Sequence, residues 1–388
     1  MNPRILSLVF APFAFGTSAF VFIGLIDPMA EGLGVGVPLI GQLQMVFAIA
    51  CGFGGPFLAR LLSGVDRKRL LVGVLASMVA MNFASALAPD FATLAGLRFM
   101  GGFFAALTIP LATTIGVNMV PEGRRADAIA AVMAGYTLAF LLGMPLGTIL
   151  GDAFGWRAAF WFAGGVAILA ALLIALVAPG NVKAPQLSGA NFKTALSGEN
   201  PKLMALTMLG FVATFVTVGY IGPVITQTTG LTGAAIGGVQ IATGIGSLIG
   251  VPVGALFARL AVRTALFILF MLAGLTQVAF ALGMHFDFGG LSVPFLIVTM
   301  ALGSAALFAT TTVVQARLAA TSGAAVTIAF ALNSSMVYFG QGMGATLGGG
   351  VIAAIGLSAT GVAGAGVAVL ALALVFALRV QPAAQHIR

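Results

Sequence analysis

Apolar stretches of about 20 residues follow one another along almost the whole chain, parted by short loops that hold nearly all the charge. They fall at about 5–27, 38–59, 70–88, 91–119, 127–150 and 158–178, then at about 203–226, 234–257, 264–284, 291–316, 324–354 and 356–378. About 20 apolar residues in a helix cross the hydrocarbon core of a bilayer. Within that core every backbone N–H and C=O must be paired inside the chain, which a helix does by itself. Only 7% of the 388 residues are charged, against about 25% in a soluble domain. The pattern predicts an all-α membrane protein with twelve transmembrane helices in two sets of six. The polar stretch 179–202 is the one connection long enough to join two domains, so the expected units are 1–178 and 203–388. The apolar run after Arg4 continues to Ile26 and further spans follow, so it reads as a first helix and not a signal peptide.

Orientation follows from lysine and arginine. With the N-terminus in the cytoplasm, alternate loops place Arg4, Arg60, Arg67, Lys68, Arg69, Arg124 and Arg125 inside, then Lys183, Lys193, Lys202, Arg259, Arg263, Arg317, Arg379 and Arg388. That leaves Arg157 outside and Arg98 within a span. Cytoplasmic loops of membrane proteins carry this excess of basic residues. The net charge of +8 is therefore a sign of topology, with both termini cytoplasmic, and a nucleic-acid partner is not expected. The single Cys51 allows no intrachain disulfide.

The stretch 135–157 stands apart from the other spans. It is apolar enough to cross, yet glycine stands at 143, 147, 151 and 155, all on one helical face. Such a face lets a second helix backbone approach closely, the usual way membrane helices pack. Pro145 lies within the same face and should weaken the helix at one point. The two sets of six also share local patterns. Ile40-Gly41-Gln42-Leu43-Gln44 resembles Ile236-Gly237-Gly238-Val239-Gln240, and Phe57-Leu58-Ala59-Arg60-Leu61 resembles Leu256-Phe257-Ala258-Arg259-Leu260. Gly143, Met144 and Gly151 return as Gly342, Met343 and Gly350, 199 positions on, without a counterpart of Pro145. A parallel six-helix repeat of this kind is the architecture of transporters that rock two halves about a site near the midplane.

Nine acids are present. Asp66, Glu122, Asp127 and Glu199 fall in inner loops, and Glu31, Asp90, Asp152 and Asp287 in or beside outer ones. Asp27 ends the first helix, so it is the best-placed proton carrier. Arg98 is its expected partner, about seven residues into the fourth span, or roughly 10 Å deep. An intramembrane cation needs a partner or water, and is by default functional. Candidates for a substrate path are Gln44 and Tyr136 in the first half and Tyr220, Gln240, Asn333 and Tyr338 in the second. Gln44 and Gln240 are favoured because they occupy equivalent places. With 31 Phe and 16 Met, a soft aromatic cavity suits neutral, moderately lipophilic solutes. His285 and His386 read as solvated. No phosphate-binding loop and no Cys/His cluster stands in the sequence, so no cofactor or metal is expected, and energy must come from a gradient.

These residues resemble a known family. Gly135 to Gly151, with Gly143-x-Pro145-x-Gly147, resembles the fifth-helix antiporter motif of major facilitator superfamily transporters, in the twelve-span drug:proton antiporter group of efflux permeases. Leu94-x-x-Leu97-Arg98-x-x-Gly101-Gly102 resembles the fourth-helix motif whose arginine is linked to proton transfer there. Gly16-Thr17-Ser18-Ala19-Phe20 and Gly344-Ala345-x-x-Gly348-Gly349 resemble the first and eleventh helices of the sugar-efflux branch. The resemblance implies the major facilitator fold, two pseudo-symmetric six-helix bundles, with Arg60, Asp66 and Arg67 in the gating loop between helices two and three. It also departs. Leu58-Ala59 is followed by Arg60 where an aspartate is usual, the acid coming later as Asp66, and Ala19 stands where several relatives carry a glutamate.

The expected function is export of small organic molecules across the inner membrane by proton antiport and alternating access, by a monomer in the bilayer. An uncoupled facilitator or importer of the same fold is the alternative. An intramembrane enzyme would need clustered His, Asp or Glu at helix depth, and a channel a filter motif; neither is present in the sequence.

Overall fold

The computed structural model describes residues 3–62, 64–121, 124–180 and 192–378. Glu122, Lys183, Arg379, Arg388, His386 and residues 181–191 of the expected linker lie outside the described residues. Among those described, the chain is helical throughout, with short turns between helices. The first six long helices are α1 (Arg4–Leu33), α2 (Val37–Leu61), α3 (Arg67–Ala86), α4 (Phe91–Val117), α5 (Asp127–Phe154) and α6 (Arg157–Val177). The second six are α7 (Asn200–Val218), α8 (Ala234–Phe257), α9 (Val262–His285), α10 (Gly289–Ser322), α11 (Val326–Ala354) and α12 (Ala359–Phe376). Eleven of them are long and apolar enough to cross a membrane. The other, α11, has the length at 29 residues but carries Asn333, Ser334, Ser335, Tyr338, Gln341 and a run of glycines.

Residues Met1–Gln186 with Leu231–Gly244 form one compact unit, and Leu187–Gly230 with Ile245–Arg388 the other. The same pairing of helices recurs in each. In the first unit α1 packs on α5 and α6, α2 on α4, and α3 on α4 and α6. In the second, α7 packs on α11 and α12, and α9 on α10 and α12. Glycines let α8 lie against α10: a Cβ at Gly250 or Gly254 would meet the carbonyl oxygens of Ala305 and Ala309. Gly54 does the same for α2 against the carbonyl of Phe103 on α4. The six-helix repeat inferred from short matches is thus a repeat of contacts.

Two breaks inside helices bear on the site. α1 is helical over Pro3–Phe20, passes a 3-10 turn at Ile23–Leu25, and resumes as a short helix, Ile26–Leu33. Asp27 therefore does not close the first helix, as expected. It opens that last segment, with Pro28 beside it in the first turn, where the missing N–H costs nothing. In α5, helical segments at Arg125–Leu138 and Met144–Phe154 flank a π-helical turn at Ala139–Gly143. Pro145 has no N–H to give and its ring crowds the carbonyl four residues earlier; the wider π turn relieves both. The weak point expected from Pro145 is this turn.

Candidate functional site

Among the described residues, Arg98 is the most buried charge. It is 3% exposed, on α4, and its two terminal nitrogens donate to carbonyl oxygens of α1: Ser18 at 2.5 Å and Ala19 at 3.0 Å. Those carbonyls belong to the last turn of the Pro3–Phe20 helix, where α-helical partners run out because α1 breaks. A guanidinium at that end satisfies them and meets the negative pole of the helix. Phe47 and Phe22 flank the guanidinium, with ring centres 4.3 Å and 5.0 Å from its carbon. Cation–π contacts of this desolvated kind are worth about 2 kcal/mol. The Nε–H has no acceptor.

The expected partnership of Arg98 with Asp27 is not made. Arg98 meets α1 at Ser18 and Ala19, and Asp27 lies eight residues further on, about 12 Å along a helix, with its side chain exposed. The sequence shows that a buried arginine needs partners; it does not show that α1 would break beside it and offer carbonyls.

Beside Arg98 is a small cavity lined by Ser18, Phe47, Asn82, Ser85 and Gly101 among others, with room for about one water. Asn82 donates to the Ser18 hydroxyl oxygen at 2.9 Å and to the Met78 carbonyl at 2.8 Å. An aromatic series leads away from Phe47. Its ring lies 6.0 Å from Phe15, which is 6.2 Å from Tyr136; Tyr136 in turn lies 5.4 Å from Phe140 and 6.2 Å from Phe20. Tyr136 is thus part of a buried aromatic cluster among α1, α2 and α5, and Gln44 is buried in α2.

Gln240 lies in the half of α8 that clusters with the first unit. It is fully buried, accepts a hydrogen bond from Thr148 on α5 at 2.8 Å, and its amide nitrogen has no acceptor. Gly24 makes the space: a Cβ there would collide with Thr148 and Gln240 alike. In the second unit Asn333 is buried with its Oδ1 unsatisfied, and Tyr338 is half-buried on the same helix. Tyr220, in the turn just after α7, is fully buried and donates its hydroxyl to the Ala345 carbonyl at 2.8 Å, tying that end of α7 to α11.

On either side of the turn between α2 and α3, Arg60 at the end of α2 is exposed and Arg67 at the start of α3 is buried. Asp66 caps α3, accepting from the Arg69 backbone N–H at 3.0 Å. Gly143, Pro145 and Gly147 are buried on α5, and Cβ atoms at the two glycines would collide with Thr17 and Val21 of α1. The Ser18 side chain, Asn82 and Thr148 stand outside the residues that the sequence singles out. The lone asparagine in an apolar span was the available signal.

The sequence is 30% identical to the inner membrane transport protein YdhP of Escherichia coli O157:H7 over 98% of this chain and 97% of that protein. It is 31% identical to a chloramphenicol resistance protein of Streptomyces lividans over 63% of this chain and 64% of that one. The crystal structure of the nucleoside transporter NupG superposes with a TM-score of 0.72 at 14% identity, covering 97% of this chain and 98% of that one, a likeness of fold. Residues 8–328 match the profile of the Major Facilitator Superfamily. The chain belongs to the Major Facilitator Superfamily and is a membrane transporter.

Proposed function

We propose that this protein exports small, neutral, moderately lipophilic molecules from the cytoplasm across the inner membrane, by alternating access of the two halves expected from the sequence, 1–178 and 203–388, and in exchange for protons. The observation that carries the reading is α5: its glycine face packs on α1 and its π turn precedes Pro145, at the residues that resemble the antiporter motif of exporters. A relative of 31% identity is a chloramphenicol resistance protein, and others are inner membrane transport proteins, which supports the direction and the location. Both termini are cytoplasmic in this reading, the basic loops facing inward, and the protein acts as a monomer.

In the coupling step, α1 is the moving part. Arg98 holds the carbonyls of Ser18 and Ala19 and Asp27 rides on the terminal segment of the same helix, so a proton on Asp27 and the grip of Arg98 act on one element. Gln44, Tyr136, Gln240, Asn333 and Tyr338 line the substrate path, with Tyr220 setting α7 against α11. Arg60, Asp66 and Arg67 act at the inner gate.

The test is purified protein in liposomes with an imposed pH gradient, screened with hydrophobic drugs for linked proton flux. Drug-driven proton movement is expected, lost in Arg98→Ala with the protein still folded in the membrane. Undiminished flux in that variant sinks the coupling role. One observation favours an uncoupled facilitator instead: Ala19 offers no carboxylate in mid-helix, and Asp27 is exposed. Equal exchange with and without the gradient would establish that reading.

A further inference from the structure

We propose that the cavity between Arg98 and Ser18 is a binding site for one small monovalent anion of chloride size. The inference does not depend on the direction or coupling of transport. A guanidinium buried this fully carries a whole positive charge, while the partners it has are neutral: two carbonyl oxygens and two aromatic rings. The end of the Pro3–Phe20 helix supplies roughly half a negative charge, and no carboxylate contacts Arg98 in the described residues. A buried charge left without a full counter-charge is costly.

Two donors nearby are unused. The Arg98 Nε–H has no acceptor. The Ser18 hydroxyl accepts from Asn82, and no described contact uses its own proton. Asn82 spends both amide protons, on Ser18 and on Met78, and Ser85 donates to the Met81 carbonyl at 2.7 Å. Arg98 and Ser18 both line the same space, which has room for about one water. A space of that size with one cation, spare N–H and O–H donors and no acid suits a halide. It is too small for an organic substrate.

The experiment uses full-length protein in detergent with no gradient and no drug, at constant ionic strength, with sodium gluconate replaced stepwise by sodium chloride. Thermal unfolding is followed by tryptophan fluorescence. A saturable rise in midpoint with chloride and bromide is expected, and none with sulfate. Ser18→Ala keeps the carbonyl that Arg98 grips and removes only the hydroxyl donor. It should bind chloride about tenfold more weakly, the scale of one hydrogen bond to a charged group. Arg98→Gln should show no rise. A wild-type midpoint indifferent to chloride would mean that water alone fills the space, and overturns the proposal. So would an unchanged response in Ser18→Ala, which serves even if Arg98→Gln does not fold. A rise with formate and none with chloride would overturn the halide assignment in favour of a carboxylate.

Discussion

α5 and α11 hold the same post in their units, each packed through glycines on the unit's first helix, and they do it differently. On α5 the contacts run from Gly135 against the carbonyl of Val9, through Gly143 against Thr17, to Gly147 against Val21 and Gly151 against Leu25. On α11 they run from Gly340 against Met208, through Gly344 against Val212 and Phe215, to Gly348 against Val216 and Tyr220. The partners on α1 and α7, Thr17 and Val216, stand 199 apart, whereas the glycines that meet them, Gly143 and Gly348, stand 205 apart. The repeat therefore slips by six residues between the first and fifth helices of a unit. Gly350, expected to mirror Gly151, faces open space, and by the packing offset it corresponds to Pro145 instead. α11 is an unbroken α-helix over 29 residues, and α5 is divided by a π turn. Equal packing thus coexists with unequal stiffness, and a single proline makes the difference.

The largest effect should come from filling either face. Gly135→Leu and Gly348→Leu each drive a side chain into a backbone carbonyl of the neighbouring helix and should cost about 3 kcal/mol or more. Gly350→Leu should stay within about 0.5 kcal/mol. Thermal midpoints of the three purified variants check this, and a Gly350 variant as damaged as Gly348 would break the register drawn here. Next come the polar ties of the two helices. Thr148→Val strands both ends of the buried Gln240 amide and should cost about 1–3 kcal/mol, while Tyr220→Phe, which removes one bond to Ala345, should cost about 1 kcal/mol.

Stiffness is tested by Pro145→Ala. It should leave stability unchanged or higher and slow transport about tenfold, or ~1.4 kcal/mol in barrier, because the π turn can close into regular α-helix. Gly350→Ala, at the matching place, should add about 0.5–1 kcal/mol of stability and leave transport alone. Equal transport by the two variants would dissolve the contrast. The smallest effect is at the helix starts. Asp90 caps α4 and Asp66 caps α3, whereas α9 starts without a side-chain cap and α10 only with Asp287 accepting from the Gly289 backbone N–H. The Thr93 backbone N–H, with its hydroxyl and the Ala92 N–H, holds the Asp90 carboxyl below the ordinary carboxylate value. The cap is therefore fully present above the unfolded value of about 3.9 and is lost as pH falls through the lower folded one. Wild type and Asp90→Asn should then converge in midpoint on acidification below about pH 4.

The glycine face at 143, 147 and 151, the proline weak point and the buried arginine are legible in the sequence, since each is a local pattern of residue type and spacing; Gly155, expected on the same face, instead ends the helix at φ 86 and faces open space. The partners were not. Glycines at 340, 342, 344, 348 and 350 offer more than one stripe, and only the position of α7 selects 340, 344 and 348. Asp27 is the partner the sequence offers Arg98 because it is the acid best placed at a helix end, and hydropathy does not show that α1 breaks at Phe20 and exposes two carbonyls. Gln44 and Gln240 stand at equivalent places in the repeat, but nothing in their spacing shows that both are buried.

What the sequence determined alone was the set of helices and the family they belong to. Hydropathy over 20 residues fixes a span because lipid leaves the backbone no partner but itself, and glycine at every fourth residue fixes a close-packing face because helical geometry is local. What only the tertiary structure decided was where each buried polar group finds its partner: Arg98 on the carbonyls of a broken helix, Thr148 on Gln240, Tyr220 on Ala345. These depend on which stretch of another helix lies opposite, and glycine stripes admit several registers until the helices are packed.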